Sequence, residues 1–210
     1  MGELKVGHKA IGFMANNFYY IYREGEKDAI VIDPARDGDV LLKEITDLGL
    51  EVKAIVITHG HFDHILGVPE MVEATKAPVY AGVQDVDKLA DADLNYSTGI
   101  RKPTVVKVDV PLKDGDTLEV GSMKCKILNT PGHTSGSICL YFEEEGIIFT
   151  GDTLFRETYG RTDFKTGNDD EMKATIERLL TLPESVVCYP GHNEFTTIGH
   201  ERKYNPLSNY

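Results

Sequence analysis

The chain has 210 residues, 41% hydrophobic and 27% charged, a composition typical of soluble globular proteins. Its 34 acidic and 22 basic residues give a formal net charge of −12, which disfavours a nucleic-acid partner. The N-terminal stretch lacks the apolar core of a signal peptide, and no run approaches the roughly 18 apolar residues of a membrane span. We therefore expect a cytoplasmic protein with no membrane partner. Because no linker-like segment divides the chain, we expect one domain over residues 1–210.

The first half of the sequence alternates between strand and helix patterns. Runs rich in β-branched or aromatic residues predict strands over 18–23, 29–33, 54–57 and 77–81. Apolar residues at helical spacing predict helices over 37–48, 67–76 and 83–90. The polar segment 91–102 is expected to form a loop.

Strands predominate in the second half, which predicts sheets inside and helices outside. The strand patterns cover 105–110, 117–120, 123–128, 137–142, 147–150 and 186–189. A helix is predicted over 169–180, where two aspartates favour the positive end of the helix dipole, and a short helix over 198–204. The three cysteines, Cys125, Cys139 and Cys188, are widely spaced without a C-x-x-C pair, so we expect them reduced, buried and not catalytic.

A cluster of metal-binding side chains follows the strand pattern that ends at residue 57. His59, His61, Asp63 and His64 fall within six residues, and imidazole and carboxylate groups bind zinc, iron or manganese. Gly60 permits a sharp turn, so the two histidines beside it can converge. Asp63 and His64 are adjacent and point different ways in most backbone conformations, which favours two neighbouring metal positions.

Three later strand patterns end in a glycine-bearing turn and a single candidate ligand. These candidates are His133, Asp152 and His192. Loops that leave a sheet at one edge commonly build a shared site, so we expect all seven side chains to converge. His8 and His200 lack this context and are interpreted as ordinary surface residues.

The combined motifs T-H-x-H-x-D-H, P-G-H-T, G-D-T and P-G-H resemble the metallo-β-lactamase superfamily. GDTLF followed by GRTDF, and GHNEFTTIGHERKYNP near the end, resemble the short bacterial glyoxalase II-like (hydroxyacylglutathione hydrolase-like) hydrolases. The resemblance implies an αββα sandwich with two divalent metal ions at one edge of the sheets, zinc first, with iron or manganese as alternatives. It assigns His59, His61 and His133 to one metal, Asp63, His64 and His192 to the other, and Asp152 to a bridging position.

The function that this resemblance implies is hydrolysis of a thioester, of the S-lactoylglutathione type or a related small acyl thioester. Two metals can lower the pKa of a shared water toward about 7, so that hydroxide forms at neutral pH and attacks the carbonyl. Asp63 and Asp152 are the predicted catalytic carboxylates. Four residues after Asp152 are candidates for binding an anionic group of the substrate: Arg156, Tyr159, Arg161 and Lys165.

Several alternatives remain on the same motifs. The main one is an iron-dependent persulfide dioxygenase of the same fold, followed by a phosphodiesterase or nuclease and by a non-catalytic metal-binding protein. Only 18 residues follow His192 in the 210-residue chain, so a separate helical domain that holds glutathione is not expected. The family's secreted β-lactamases generally carry a cysteine near the position of Asp152, so hydrolysis of β-lactam antibiotics is not expected either.

Overall fold

The computed structural model describes residues 2–12 and 14–208, and its first half forms a six-stranded sheet. The strands are β1 (Leu4–Ile11), β2 (Asn16–Arg23), β3 (Asp28–Ile32), β4 (Glu51–Ile57), β5 (Val79–Gly82) and β6 (Val110–Leu112). They lie side by side in chain order. Pairing is antiparallel from β1 to β3 and parallel from β3 to β6. The central strands are buried on both faces, which explains their continuous apolar sequences.

Helices cover the outer face of this first sheet. They are α1 (Gly38–Asp47), α2 (Val68–Thr75) and α3 (Val86–Ala90), with single 3₁₀ turns at Phe62–His64, Val83–Asp85 and Ser97–Gly99. Leu41 and Ile45 of α1 and Met71 of α2 belong to one buried cluster with Ile55 and Ile57 of β4. The helical spacing in the sequence therefore marked the faces that pack on the sheet.

The second half forms another six-stranded sheet and two further helices. The strands are β7 (Thr117–Val120), β8 (Met123–Asn129), β9 (Ile138–Phe142), β10 (Ile147–Gly151), β13 (Val187–Pro190) and β14 (Thr196–Thr197), in the order β14-β13-β10-β9-β8-β7. A small hairpin pairs β11 (Leu154–Phe155) with β12 (Thr158–Tyr159). The outer face packs against α4 (Asp169–Leu179) and α5 (Ile198–Tyr204), with Met172 and Ile198 fully buried.

The two sheets face each other across a third buried cluster. Ile30 and Ile32 of the first sheet share it with Ile127, Leu140 and Phe149 of the second. Helices therefore cover both outer faces of a pair of packed sheets. The predicted αββα sandwich is confirmed.

One predicted strand needs correction, and four strands were not predicted, namely β1, β11, β12 and β14. β1 was not predicted, because it is an edge strand whose side chains are exposed or only partly buried and whose pattern is weak. The strand predicted over 105–110 is wrong except at its last residue, where β6 begins. Burial in that segment does alternate, since Val106 is buried and Val105 is 54% exposed. Alternation of apolar and polar residues indicates which side chains are buried. It does not show that a neighbouring strand is present to pair with the segment.

The three cysteines are buried and unpaired, as expected. Burial raises the pKa of the Cys139 thiol to about 12, which keeps it protonated at neutral pH. Within residues 2–12 and 14–208, none of the helices has the length and apolar character needed to cross a membrane.

Candidate metal centre

Loops from both sheets meet at one edge of the sandwich. The loop after β4 carries His59, His61, Asp63 and His64, and the loops after β8, β10 and β13 carry His133, Asp152 and His192. β8, β10 and β13 run in the same direction within the second sheet, so their carboxyl ends open on the same side. The structure thus brings all seven predicted ligands together.

The first ligand group consists of His59, His61 and His133. Ligand atoms of the three lie within 4.8 Å of one another, and all three side chains are buried. Nδ1 of His61 and Nε2 of His133 are 2.9 Å apart. Three imidazoles this close, with ring nitrogens converging, have the donor set of a zinc or iron site.

The second ligand group consists of Asp63, His64 and His192. Oδ2 of Asp63 lies 3.4 Å from Nε2 of His192 and 3.7 Å from Nε2 of His64. Asp152 lies between the two groups. Its Oδ1 is 3.4 Å from Nε2 of His64, and its Oδ2 is 3.7 Å from Nε2 of His133 in the first group. This carboxylate is placed to contact ions in both groups.

Buried atoms without partners show that the residues present fit metal ions. Nε2 of His59, Nε2 of His64 and Oδ1 of Asp152 have no hydrogen-bond partner in the structure and are shielded from solvent. An unsatisfied buried polar atom costs about 1–3 kcal/mol, and several converging in one place fit the donor set of a metal site. Together the two groups and Asp152 have the arrangement of a dinuclear metal site.

The electrostatics of the two ligand groups differ. Burial, followed by the neighbouring His133 and Lys88, lowers the pKa of His61 to about 2, so this imidazole is neutral and ready to act as a ligand. Burial also opposes charge on His64, but Asp152, Asp63 and Asp33 outweigh it and raise the pKa of His64 well above its ordinary value. The carboxylates of Asp152, Asp63 and Asp33 therefore favour a positive charge at this position.

Asp33, at the exit of β3, holds the start of the ligand loop in place. Its carboxylate accepts hydrogen bonds from the backbone N of Thr58 (2.8 Å) and from Oγ1 of Thr58 (2.6 Å). It also lies 2.9 Å from Nδ1 of His64, and this contact leaves Nε2 of His64 directed toward Asp152. Such outer contacts set the tautomer and orientation of a ligand histidine.

Asp85 ties the two loops of the first ligand group together. It is fully buried and accepts hydrogen bonds from the backbone N of Gly60 (2.7 Å), Oγ1 of Thr134 (2.7 Å) and the backbone N of Gly136 (3.0 Å). Gly60 lies between two of the ligand histidines, and Thr134 follows the third. One carboxylate therefore sets the spacing of all three imidazoles.

Further contacts orient the remaining ligands. Asn16 donates from Nδ2 to Oδ2 of Asp63 (2.9 Å), and Nδ1 of His192 lies 3.1 Å from the backbone O of Met14. Nδ1 of His133 lies 2.7 Å from the backbone O of Arg161. Sequence reasoning missed Asn16, Asp33 and Asp85. The available signal for Asp33 was an aspartate at the end of a predicted strand.

Gly191 is required by close packing behind the bridging carboxylate. A Cβ atom at this position would lie 2.3 Å from Oδ1 of Asp152 and 2.8 Å from Cε1 of His64. No side chain fits at those distances, so the glycine before His192 allows its loop to approach the centre.

The ligand groups open on a cavity of about 590 Å³, and one of the four candidate substrate-binding residues lies in its wall. Arg161 lines the cavity. Arg156 forms an ion pair with Glu194 and lines a separate depression, while Tyr159 packs against the outer core beneath α4. Lys165 is exposed. Binding of substrate by these residues remains a prediction, and the geometry favours Arg161 among them.

The fold and the ligand groups agree with the comparison against known families. The model of the metallo-β-lactamase superfamily matches residues 11–192, and the chain belongs to this superfamily. It is similar to a probable metallo-hydrolase of Bacillus subtilis, YqgX (34% identity, covering 95% of each chain). It is also similar to the hydroxyacylglutathione hydrolase GloC of Haemophilus influenzae, at 32% identity over 89% of this chain and 90% of the relative.

Three solved structures extend the comparison. The crystal structure of BLEG-1 B3 metallo-β-lactamase has a TM-score of 0.92 and 33% identity, covering 98% of this chain and all of that one. A di-iron-bound form of TTHA1623 has a TM-score of 0.84 and 33% identity (96% and 99% covered). ETHE1 from Myxococcus xanthus has a TM-score of 0.82 and 29% identity (97% and 84% covered).

Metal titration of chelated protein is expected to give two ions per chain, because the ligands form two groups with Asp152 between them. His192→Ala should remove the ion of the second group and leave the other. His200→Ala is the matched control, since His200 pairs with Glu157 outside the site, and it should keep both ions. Elemental analysis measures the content. One ion in the metal-replete wild type, unchanged by His192→Ala, would contradict the expectation.

Proposed function

We propose that the protein is a metal-dependent hydrolase that cleaves a thioester, of the S-lactoylglutathione type or a related small acyl thioester. The observation that carries the proposal is the pair of ligand groups, joined by Asp152, that opens on a substrate-sized cavity. The Haemophilus influenzae relative, named a hydroxyacylglutathione hydrolase, supports a thioester as the substrate class.

Two bound divalent ions, zinc in the simplest case and iron or manganese as alternatives, would supply Lewis acidity and an acidified water. The chain holds the ligands that this chemistry needs. Nδ2 of Asn16 donates a hydrogen bond to Oδ2 of Asp63, and the backbone O of Arg161 lies at hydrogen-bond distance from Nδ1 of His133. Asp63 and Asp152 are the carboxylates that we place at the reacting centre.

The leaving group explains why the site needs few other functional groups. Hydrolysis turns a thioester and water into a carboxylic acid and a thiol. A thiol with a pKa of about 8.5 departs as thiolate near neutral pH, so a dedicated proton donor is unnecessary. The buried thiols of the chain itself are far less acidic, as the raised pKa of Cys139 shows, and they are not assigned a part in the reaction.

The proposal is tested by thiol release from acyl thioesters, measured with protein loaded separately with zinc, iron or manganese. We expect catalytic turnover with at least one metal, and loss of turnover on chelation that is restored by adding the metal back. Full metal loading without hydrolysis of any thioester would contradict the proposal.

A second candidate is an iron-dependent persulfide dioxygenase. The similarity to ETHE1 and to the di-iron form of TTHA1623 is compatible with this activity. Oxygen uptake with a glutathione persulfide, without thiol release from any thioester, would favour it. Similarity to BLEG-1 makes β-lactam ring opening a necessary third assay on the same preparations.

A further inference from the structure

Five apolar or aromatic side chains line the cavity beside the ligand groups. Tyr96 and Phe164 lie together with ring centroids 5.1 Å apart, and the Phe164 ring is edge-on to His61 at 5.0 Å. Phe155 lies at the other end, with its ring centroid 6.1 Å from that of His192. The apolar lining is completed by Met14 and Phe62. The walls on both sides of the metal ligands are therefore suited to an apolar group.

The positive charge that lines this cavity is already neutralised. Among the described residues of the lining, Arg161 is the one cation outside the ligand groups. Its Nε and Nη2 donate to the two carboxylate oxygens of Asp163 at 2.6 and 2.7 Å. Its guanidinium carbon also lies 4.3 Å from the centroid of the Phe164 ring. A carboxylate on a substrate could form a bidentate pair through Nε and Nη2 only by displacing Asp163.

Tyr96 is tied to the segment that bears both Arg161 and Phe164. Its hydroxyl oxygen accepts a hydrogen bond from the backbone N of Lys165 (3.1 Å). The Tyr96 ring lies 5.6 Å from the ring of His61, so the aromatic wall reaches the first ligand group. The hydroxyl of Tyr96 is therefore hydrogen-bonded to the backbone, while its ring lines the cavity.

From these contacts we infer that the substrate carries an apolar, preferably aromatic, group beside its scissile bond, packed between the Tyr96–Phe164 pair and Phe155. The inference rests on the proposed thioesterase function and narrows its substrate class to thioesters that carry an apolar group on the acyl half or the thiol half. Removal of apolar surface from water drives such binding, and the aromatic rings add edge-to-face contacts. The acyl half and the thiol half of the thioester are two possible sources of the group.

Three thioethers, in which a methylene replaces the thioester carbonyl, separate these sources. S-(2-hydroxypropyl)-N-acetylcysteamine is polar in both halves and serves as the reference. S-(2-phenylethyl)-N-acetylcysteamine is apolar on the acyl side, and benzyl 2-hydroxypropyl sulfide on the thiol side. We expect at least one apolar thioether to bind zinc-loaded protein about tenfold or more tightly than the reference in isothermal titration calorimetry. Equal or weaker binding of both would overturn the inference.

Three variants test where the thioethers bind. Phe164→Ala should remove most of the advantage of the tighter apolar thioether and leave the reference nearly unchanged. Tyr204→Ala, which removes an exposed aromatic ring on α5, is the matched control and should change the affinity of neither thioether.

Asp163→Asn, at an exposed position, should free Arg161 and strengthen binding of S-(2-hydroxypropyl)glutathione, which carries carboxylates. Wild-type protein that already prefers this anionic thioether to both apolar ones would overturn the inference.

The thioethers cannot be hydrolysed, so their affinities do not depend on turnover. Failure to cleave any thioester would overturn the proposed function while the affinities still decide the apolar site. Cleavage of lactoyl thioesters together with equal binding of all three thioethers would keep the proposed function and overturn the apolar site.

Discussion

Asp152→Ala is expected to lower kcat/KM for thioester hydrolysis by about 10³-fold or more, because it removes charge from the reacting centre and a ligand from both groups. Oδ1 of Asp152 lies 3.4 Å from Nε2 of His64, and Oδ2 lies 3.7 Å from Nε2 of His133. Metal affinity should fall by more than the roughly 10–100-fold that loss of an outer contact costs. Steady-state kinetics on protein of measured metal content will check both effects.

Asp152→Asn separates the charge from the shape of the side chain. The amide is nearly isosteric but neutral, so the variant should be almost as impaired as the alanine variant. Asp47→Asn is the matched control, because Asp47 is exposed on α1 and forms an ion pair with Lys43 one helical turn away. Wild-type turnover in Asp152→Asn with both ions bound would show that Asp152 does not bridge them.

Asp85→Asn is expected to have the largest effect on stability among the positioning residues. An asparagine must turn its amide NH₂ toward at least one of three donors: Gly60 N, Thr134 Oγ1 or Gly136 N. The variant loses a charged acceptor and leaves one buried donor without a partner, which should lower the free energy of unfolding by about 2–4 kcal/mol. That corresponds to roughly 10 °C in the unfolding midpoint of a chain of this size. Thermal unfolding in excess chelator measures this cost without a contribution from metal.

Asp33→Asn and Asp85→Asn are expected to weaken the binding of different metal ions. Asp85 contacts the loops of the first ligand group, whereas Asp33 contacts Nδ1 of His64 in the second. We expect Asp85→Asn to weaken the ion held by the three imidazoles and Asp33→Asn to weaken the other. A two-step metal titration followed by calorimetry distinguishes them. Equal weakening of both ions by both variants would show that the carboxylates act on the fold as a whole.

The ligand clusters could be predicted because their information is local. Four metal-binding side chains after one strand, and a glycine-bearing turn with a single ligand after three others, are visible without any tertiary contact. Convergence follows from the rule that strand ends at one sheet edge lie together. The αββα fold came from the resemblance of these motifs and is confirmed by the packing of the two sheets.

The supporting residues could not be predicted because their partners are distant in the chain. Asn16 is 47 residues from Asp63, and Asp85 is 49 residues from Thr134. Nothing in the local pattern around an isolated aspartate or asparagine indicates which buried donors it will meet. The pairing of Arg161 with Asp163 is local, but the significance of that pair depends on the cavity that surrounds it.

The division of ligands between the sheets has a mechanical consequence. In each group, two ligands come from the loop after β4 and the third comes from the opposite sheet, as with His61 and His133, which are 72 residues apart. A bound ion would therefore act as a cross-link that closes a long loop, and its binding free energy would add to the cohesion of the two halves. Metal supply would then govern how readily this edge of the sandwich opens, as well as whether the site can react.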